Sequence, residues 1–559
     1  MPEPEFPEPG REEKENDLLS DWLRRTAAAM PDAPAIVEQD AAGEDRVTSF
    51  RELFEQAASL ALRFVEHGIQ KQDRIALVLP KSTDAIISVF ASLLAGAVYV
   101  PIHPQWPKER IETTLADCAA RLVIDGDSSP PRITDRETDA SIAWPAPDIR
   151  PGISGEHWLP RADAGEPAFI LFTSGSTGQP KGVVLSHRAV SAFVKWSARE
   201  FQICSADRIA CPSPLSFDLS TFDIFNMALC GATCVLVPGH SVWMPRFLVQ
   251  FVREARITCW YSVPSILAGM LEEGRMAQHD YPGLRVVLFA GEVFRGADVA
   301  RLQAAVPQAV CANLYGPTET NVVTWYRVPR GFDGSEPLPI GQPCPYATVT
   351  VDAASGELLA GGESVMSRYW NRPEDTERAF VNVEGKRHYR TGDRVSRAAD
   401  GNYLFLGRFD RQVKRRGFRI ELGEIETALA GCEDILEAAV VAVDDSKMGT
   451  AIIAFVRARS AGPVGLIEAK AHCARTLPRY MVPDRIVFLD TIPKGNRGKI
   501  DYIALSKVAE TLDQAAPIQA ASNQSVSNQA ASNQASTNQA STNHAPNHGD
   551  QDRSPAVHR

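Results

Sequence analysis

The chain has 559 residues, more than one hydrophobic core usually serves, so two or more domains are expected. Its formal net charge of −11 argues against a nucleic-acid or membrane-surface role. The ten cysteines are scattered without a Cys-x-x-Cys, Cys230 and Cys234 being the nearest pair. Neither a zinc site nor a disulfide framework is expected, and buried reduced thiols are.

Residues 1–16 are rich in Pro and Glu and read as disordered rather than as a secretory signal. No apolar run approaches the roughly 18 residues of a membrane span, so a cytoplasmic enzyme is the default expectation. Leu18, Leu19, Trp22 and Leu23 have helical spacing. From there to about residue 310, strands and helices alternate. Buried strands are expected at 74–79, 121–124, 168–172, 233–237, 257–263 and 285–290, with helices at 84–94, 246–255 and 297–305. This rhythm predicts an α/β fold of parallel sheets covered by helices, with ligands beyond the carboxyl ends of the strands.

The stretch 169–183 reads FILFTSGSTGQPKGV. Four apolar residues end a strand. Hydroxyls at Thr173, Ser174, Ser176 and Thr177, turns at Gly175, Gly178 and Gly182, and the cation of Lys181 then suit a loop that wraps a polyphosphate. It is not a Walker A loop, because Pro180 stands where that motif needs Gly. The alternative is a Ser/Gly-rich linker, but linkers rarely follow a buried strand this abruptly. Asn313-Leu314-Tyr315-Gly316-Pro317-Thr318-Glu319 follows another predicted strand. A flat aromatic can stack on a purine, Asn313 can bond its exocyclic amine, and Glu319 can hold Mg²⁺.

Turn-rich short strands between about 335 and 410 predict a small β subdomain, completing a large domain over 17–410. A smaller α+β domain is expected over 411–511, with helices at 424–429 and 467–476 and strands at 438–443, 451–456 and 485–489. From 512 to 559 an Ala-Ser-Asn-Gln theme repeats, which predicts a disordered tail.

Together these motifs resemble the adenylate-forming (acyl-activating) enzymes over roughly residues 18–510. The resemblance implies ATP and Mg²⁺. Thr173 to Gly178 and Lys181 would meet the phosphates. Gly291, Glu292, Asn313, Leu314, Tyr315 and Gly316 would contact the nucleotide, with Thr318 at the α-phosphate and Glu319 on the metal. Tyr389-Arg390-Thr391-Gly392-Asp393 is similar to the family's ribose motif, in which Asp393 would accept both hydroxyls and Arg408 support them. Asp410 would be the hinge and Gly417 would lie beside the path of an incoming thiol. Lys499, in GNRGKID, resembles the catalytic lysine. A positioned ammonium lowers the barrier for carboxylate attack on a phosphate, and Lys494 is better read as a solvated charge.

Phe217-Asp218-Leu219-Ser220 resembles the amino-acid-activating branch, where this aspartate binds the substrate ammonium. A carboxylate in an apolar pocket is costly unless paired, so it predicts a cationic amine. The alternative is a helix-capping aspartate. The pocket positions carried over are Leu219, Phe222, Tyr261, Leu288, Ala290, Leu314, Val322 and Val323, nearly all apolar. The set resembles that of enzymes that load L-proline on a peptidyl carrier protein. Valine, alanine, another small apolar amino acid, or an acyl- or aryl-CoA ligase activity are the alternatives. No phosphopantetheine-attachment or condensation motif is found, so the expected acceptor is a separate protein or a small thiol, and the resemblance implies a carrier bearing phosphopantetheine. His103, where an aspartate is common in amino-acid-activating members, and the loose stretch 359–370 depart from the pattern.

Overall fold

The computed structural model describes residues 17–40, 43–144, 162–175, 180–445, 449–459, 466–494 and 499–512. Residues 1–16 and the tail beyond 512, both expected to be disordered, lie outside the described residues, as do Ser176, Thr177 and Gly178. The chain divides into two compact units, Met1–Ile492 and Pro493–Arg559.

Two large sheets organise the first unit, and their central strands are the apolar runs read from the sequence. In one, Val98–Pro101, Arg74–Val78 and Ala120–Asp125 run parallel, with Pro167–Thr173 parallel to Val98–Pro101 on the far side. In the other, Thr233–Leu236, Arg208–Cys211, Cys259–Ser262, Val286–Ala290 and Val310–Tyr315 are successive parallel neighbours. Strands such as Cys259–Ser262 and Val286–Ala290 are buried along their whole length, as parallel strands covered on both faces must be. The fold class is α/β, as expected.

The edges of both sheets are antiparallel, which the sequence reading left out. Lys181–Ser186 pairs antiparallel with Pro167–Thr173. Its apolar content is only Val183, Val184 and Leu185, all fully buried, and the turn residues before them mask so short a strand. Packing between helices is aromatic where Phe225 meets Trp22 and Phe90 edge-on, with centroids 6.5 Å and 6.0 Å apart.

An antiparallel five-stranded sheet over 347–408 is the expected β subdomain. A two-stranded hairpin follows, Gln412–Arg415 against Phe418–Glu421. Its loop, Arg416-Gly417, has φ of 52° and 80°, the pair of left-handed residues that a tight hairpin requires. Helix Leu422–Ala430 and a sheet of Ile435–Asp445, Gly449–Ala458 and Arg485–Phe488 come next. This part has a core of its own, built on Ile425, Leu429, Val440, Ile452 and Ala454. The second unit carries an antiparallel bridge between Lys494 and Ile500 and a helix over 502–512, whose Ala504 N–H donates to Asp501 (3.0 Å).

The first helix, Leu19–Ala29, is tied to the helix His187–Glu200 through a histidine. The Leu19 N–H donates to Nδ1 of His187 (3.4 Å), which burial pushes down to about 4. The native state therefore binds fewer protons at this ring than the unfolded chain, whose histidine titrates at its ordinary value of 6.5. Stability is expected to fall as pH drops below 6.5 toward 4. Denaturant unfolding of His187→Gln should show a flatter pH dependence between about 6.5 and 5 than the parent, a window above most carboxylate titrations.

Candidate active site

Several strands end at one cleft. Pro167–Thr173 delivers Thr173 and Ser174, Val286–Ala290 delivers Ala290 and Gly291, and the turn after Val310–Tyr315 delivers Gly316 and Thr318. Asp218, just ahead of the helix Ser220–Cys230, and Asp393 of the β subdomain line the same cavity. Gly316 is required sterically: a Cβ there would lie 1.6 Å from the Asn321 carbonyl oxygen.

Asp218 does not cap its helix. Leu219 is the N-cap and no side chain caps it. The Asp218 carbonyl, not its carboxyl, accepts the Thr221 N–H (3.0 Å). Its carboxyl faces the cavity, and burial pushes its pKa up; a hydrogen bond from Thr318 and the nearby charge of Lys414 only moderate this. Around it, Phe217, Leu219, Tyr261, Ala290 and Val322 line the cavity. Phe222, Leu288, Leu314 and Val323 lie behind in the core, with Phe222 packed edge-on against Tyr261 at 5.5 Å.

At the other end, Asp393 accepts hydrogen bonds from the Tyr315 hydroxyl and from Arg408. Arg408 also grips Asp410 through both Nε (2.6 Å) and Nη2 (2.7 Å), so the ribose and hinge positions form one ionic chain. Asn313 and Glu292 are already partnered. Asn313 donates to the Pro339 carbonyl (2.8 Å), and Glu292 accepts the backbone N–H groups of Ser265 (3.0 Å) and Gly417 (2.6 Å). Lys181 pairs with Asp375 at 3.3 Å and stands over the Tyr369 ring. Lys499 is exposed in the second unit.

Glu319 tests the metal expectation. It is fully buried, and Nη1 of Arg419 contacts both its oxygens at 2.8 Å while the Tyr369 hydroxyl donates to it at 2.7 Å. Burial is the largest single influence and pushes its pKa up, but the Arg419 charge and the hydrogen bonds to the carboxyl together outweigh it, and the carboxyl stays below its ordinary range. Among the described residues no group of three or more His, Cys, Asp or Glu side chains could hold a metal ion. In this arrangement Glu319 is saturated by a guanidinium, and it fits Mg²⁺ only once Arg419 withdraws.

Of the 412–421 hairpin, sequence reasoning gave a role to Gly417 alone and none to Lys414, Phe418 or Arg419. Lys414, Phe418 and Arg419 line the cavity together with Trp106, Arg110 and Tyr480. Burial pushes the Lys414 ammonium down, against the pull of Asp393 and Asp218. Phe418 stacks on Tyr480 with centroids 3.6 Å apart and meets Phe217 edge-on at 4.8 Å. The signal for this stretch was the resemblance of residues 407–414 and 417–426 to family motifs, which names no hairpin. Gly417 is tightly placed, since a Cβ would lie 2.6 Å from Val263. A second cavity of about 470 Å³ adjoins the first, sharing Trp106, Ser216, Phe217, Val263, Phe418 and Tyr480 with it and reaching out to Trp243 and Arg479. His103, the departure noted in the sequence, lines this outer cavity, where burial lowers its pKa.

A family model for the AMP-binding enzyme matches residues 23–370, and one for the AMP-binding enzyme C-terminal domain matches 424–499. The chain is 36% identical over 518 residues to an L-proline--[L-prolyl-carrier protein] ligase of Pseudomonas fluorescens, covering 88% of this chain and 99% of that protein. It is likewise 36% identical over 510 residues to a protein of the same name from Streptomyces coelicolor, covering 86% and 94%. Among solved structures it is similar to the Vibrio cholerae adenylation domain AlmE in complex with glycyl-adenosine-5'-phosphate. There the TM-score is 0.74 at 25% identity, over 88% of this chain and 98% of that one.

Asp218 can seat a cation only when ionised, and its pKa is raised, so protons compete with a cationic ligand. Binding of an amine-bearing carboxylic acid, followed by calorimetry, should weaken as pH falls toward that raised value. Asp218→Asn should bind weakly at every pH and lose the acid limb; an unchanged limb would assign it to another group.

Proposed function

Since the chain belongs to the AMP-binding enzyme family, we propose that it is an ATP-dependent ligase that activates L-proline. The product is prolyl-AMP, and the prolyl group passes to the phosphopantetheine thiol of a separate peptidyl carrier protein in the cytoplasm. The observation that carries this reading is the carboxyl of Asp218, set among Phe217, Leu219, Tyr261, Ala290 and Val322 in the cavity that Asp393 and Arg408 also line. A secondary ammonium answers the carboxylate, and a compact hydrocarbon ring answers the walls. The prolyl-carrier ligases of similar sequence support the choice of proline.

On this reading, Thr173, Ser174 and Lys181 hold the ATP phosphates, Lys181 exchanging Asp375 for them. Asp393 and Arg408 hold the ribose, and Tyr315 lies against the base. Glu319, freed from Arg419, is the residue that would hold Mg²⁺, which when bound spreads the negative charge of the phosphates. Asp218 holds the amine so that the substrate carboxylate faces the α-phosphorus. A carboxylate oxygen bonds to that phosphorus while the bond to pyrophosphate breaks. Thr318 and Lys499 stabilise the charge that builds there. Residues 411–511 act as the mobile small domain, turning about Asp410 between half-reactions. In the second, the carrier thiol arrives through the outer cavity past Gly417, its sulfur bonds to the acyl carbon, AMP leaves, and the thiol proton goes to solvent.

Amino-acid-dependent pyrophosphate exchange across the twenty amino acids and small acids tests the activity. Proline should give the strongest signal, and its ring homologues should follow within the ~1–3 kcal/mol that one methylene is worth in a hydrophobic pocket. Exchange with unaminated acids alone would point instead to an acyl-CoA ligase. Lys499→Ala should cost adenylation about a hundredfold or more while sparing transfer from pre-made prolyl-AMP. Equal loss of both steps would reject the assignment of Lys499 to the first.

A further inference from the structure

Arg110, in the first turn of the helix Lys108–Asp117, belongs to no motif read from the sequence, yet it lies at the phosphate end of the cavity with Thr173 and Ser174. It is 8% exposed, and Trp106 packs over its guanidinium at 4.8 Å. Nη1 donates to Oε1 of Glu424, a residue 3% exposed on the helix Leu422–Ala430. The pairing is incomplete: Nε of Arg110 and Oε2 of Glu424 are buried without a hydrogen-bond partner. The Gly175 N–H of the glycine-rich loop also acts on the Glu424 carboxyl in favour of its charge, against the larger effect of burial. Alongside, the Ser174 hydroxyl donates to the Arg419 carbonyl (2.7 Å).

Glu424 therefore occupies an anion cradle made of the Gly175 backbone N–H and a buried guanidinium whose Nε is unpartnered. A half-satisfied buried ion pair is a poor structural device, because it bears the desolvation cost without full compensation. It is a good exchangeable one. Guanidinium is the side chain best suited to grip phosphate oxygens, and backbone N–H groups beside glycine supply the rest.

We infer that Arg110 is a ligand for the pyrophosphate portion of ATP, and that the Glu424 carboxylate is its built-in substitute once pyrophosphate has gone. The inference rests on the adenylation reading given above and adds to it a phosphate ligand and an internal competitor. The two anions cannot share the cradle. Pyrophosphate retention opposes the arrangement in which Glu424 and the hairpin close over the cavity, and release permits it. Arg419 on Glu319 repeats the logic with opposite sign, a cation standing where the metal is expected.

The test is pyrophosphate exchange and thioester formation with the full-length enzyme, proline and its carrier. Arg110→Gln should raise the KM for pyrophosphate roughly tenfold or more, the size of one lost charge-assisted hydrogen bond, and leave the KM for proline unchanged. Arg110→Lys should recover part of that loss. Glu424→Gln should move the pyrophosphate KM the other way, about two- to fivefold lower, and slow transfer to the carrier. Unfolding temperatures of the variants separate folding defects from ligand effects. An unchanged pyrophosphate KM in folded Arg110→Gln overturns the inference, as does a raised one in Glu424→Gln. If the parent shows no exchange with any amino acid, the adenylation reading itself has failed, which is a separate result.

Discussion

Carboxylates withdrawn from water must be met by cations, and this molecule gathers them around one cleft. Asp393 is held by Arg408, Glu319 by Arg419 and Glu424 by Arg110, while Lys414 stands near Asp218. Removing one partner of such a buried pair typically costs about 3–5 kcal/mol, because the charge left behind cannot be resolvated. That cost makes each carboxylate bind whatever cation is within reach. It also makes the site exchangeable, since a cation brought by substrate can take the place of one brought by the chain without leaving a charge bare.

The cations come largely from one short element. Arg408 precedes the 412–421 hairpin, and Lys414 and Arg419 are on it. The same hairpin anchors its loop through Gly417 on Glu292 and lays Phe418 between Phe217 and Tyr480. Asp393, Glu319 and Asp218, which the ribose, the metal and the amine are proposed to contact, are thus each met here by a cation of this ribbon or of the strand before it. A ribbon this small has little core of its own, so its position is set by those ionic contacts and by the packing of Ile420, Val413 and Phe418 on its neighbours.

This explains what could be read from the sequence and what could not. The central strands were legible because burial on both faces writes a continuous apolar run, as in Val286–Ala290. The residues at their carboxyl ends were legible because glycine and hydroxyl residues break such runs abruptly, as at Thr173 to Gly175. Asp218 was legible through the resemblance of Phe217-Asp218-Leu219-Ser220 to the amino-acid-activating branch, not through any periodicity. The edge strand Lys181–Ser186 and the hairpin were not, since each has too few apolar residues for a period to show. Arg110 and Glu424 were invisible for another reason. Arg110 sits on a charged helix and Glu424 on a mostly apolar one, 314 positions apart, and only the fold brings them together.

The apolar walls around Asp218 set a limit on what specificity this cavity can have. Leu219, Ala290 and Val322 offer no hydrogen bond to a substrate side chain, and Tyr261, whose phenol is kept protonated by burial, is a donor at the back of the pocket. Discrimination then comes from volume and from the ammonium alone. An acid lacking the amine leaves Asp218 desolvated beside Lys414, which is a large penalty, whereas a side chain one carbon too small leaves only a void. The chemistry of the cleft is therefore strict about charge and lenient about hydrocarbon, and a secondary amine closed into a ring meets both demands.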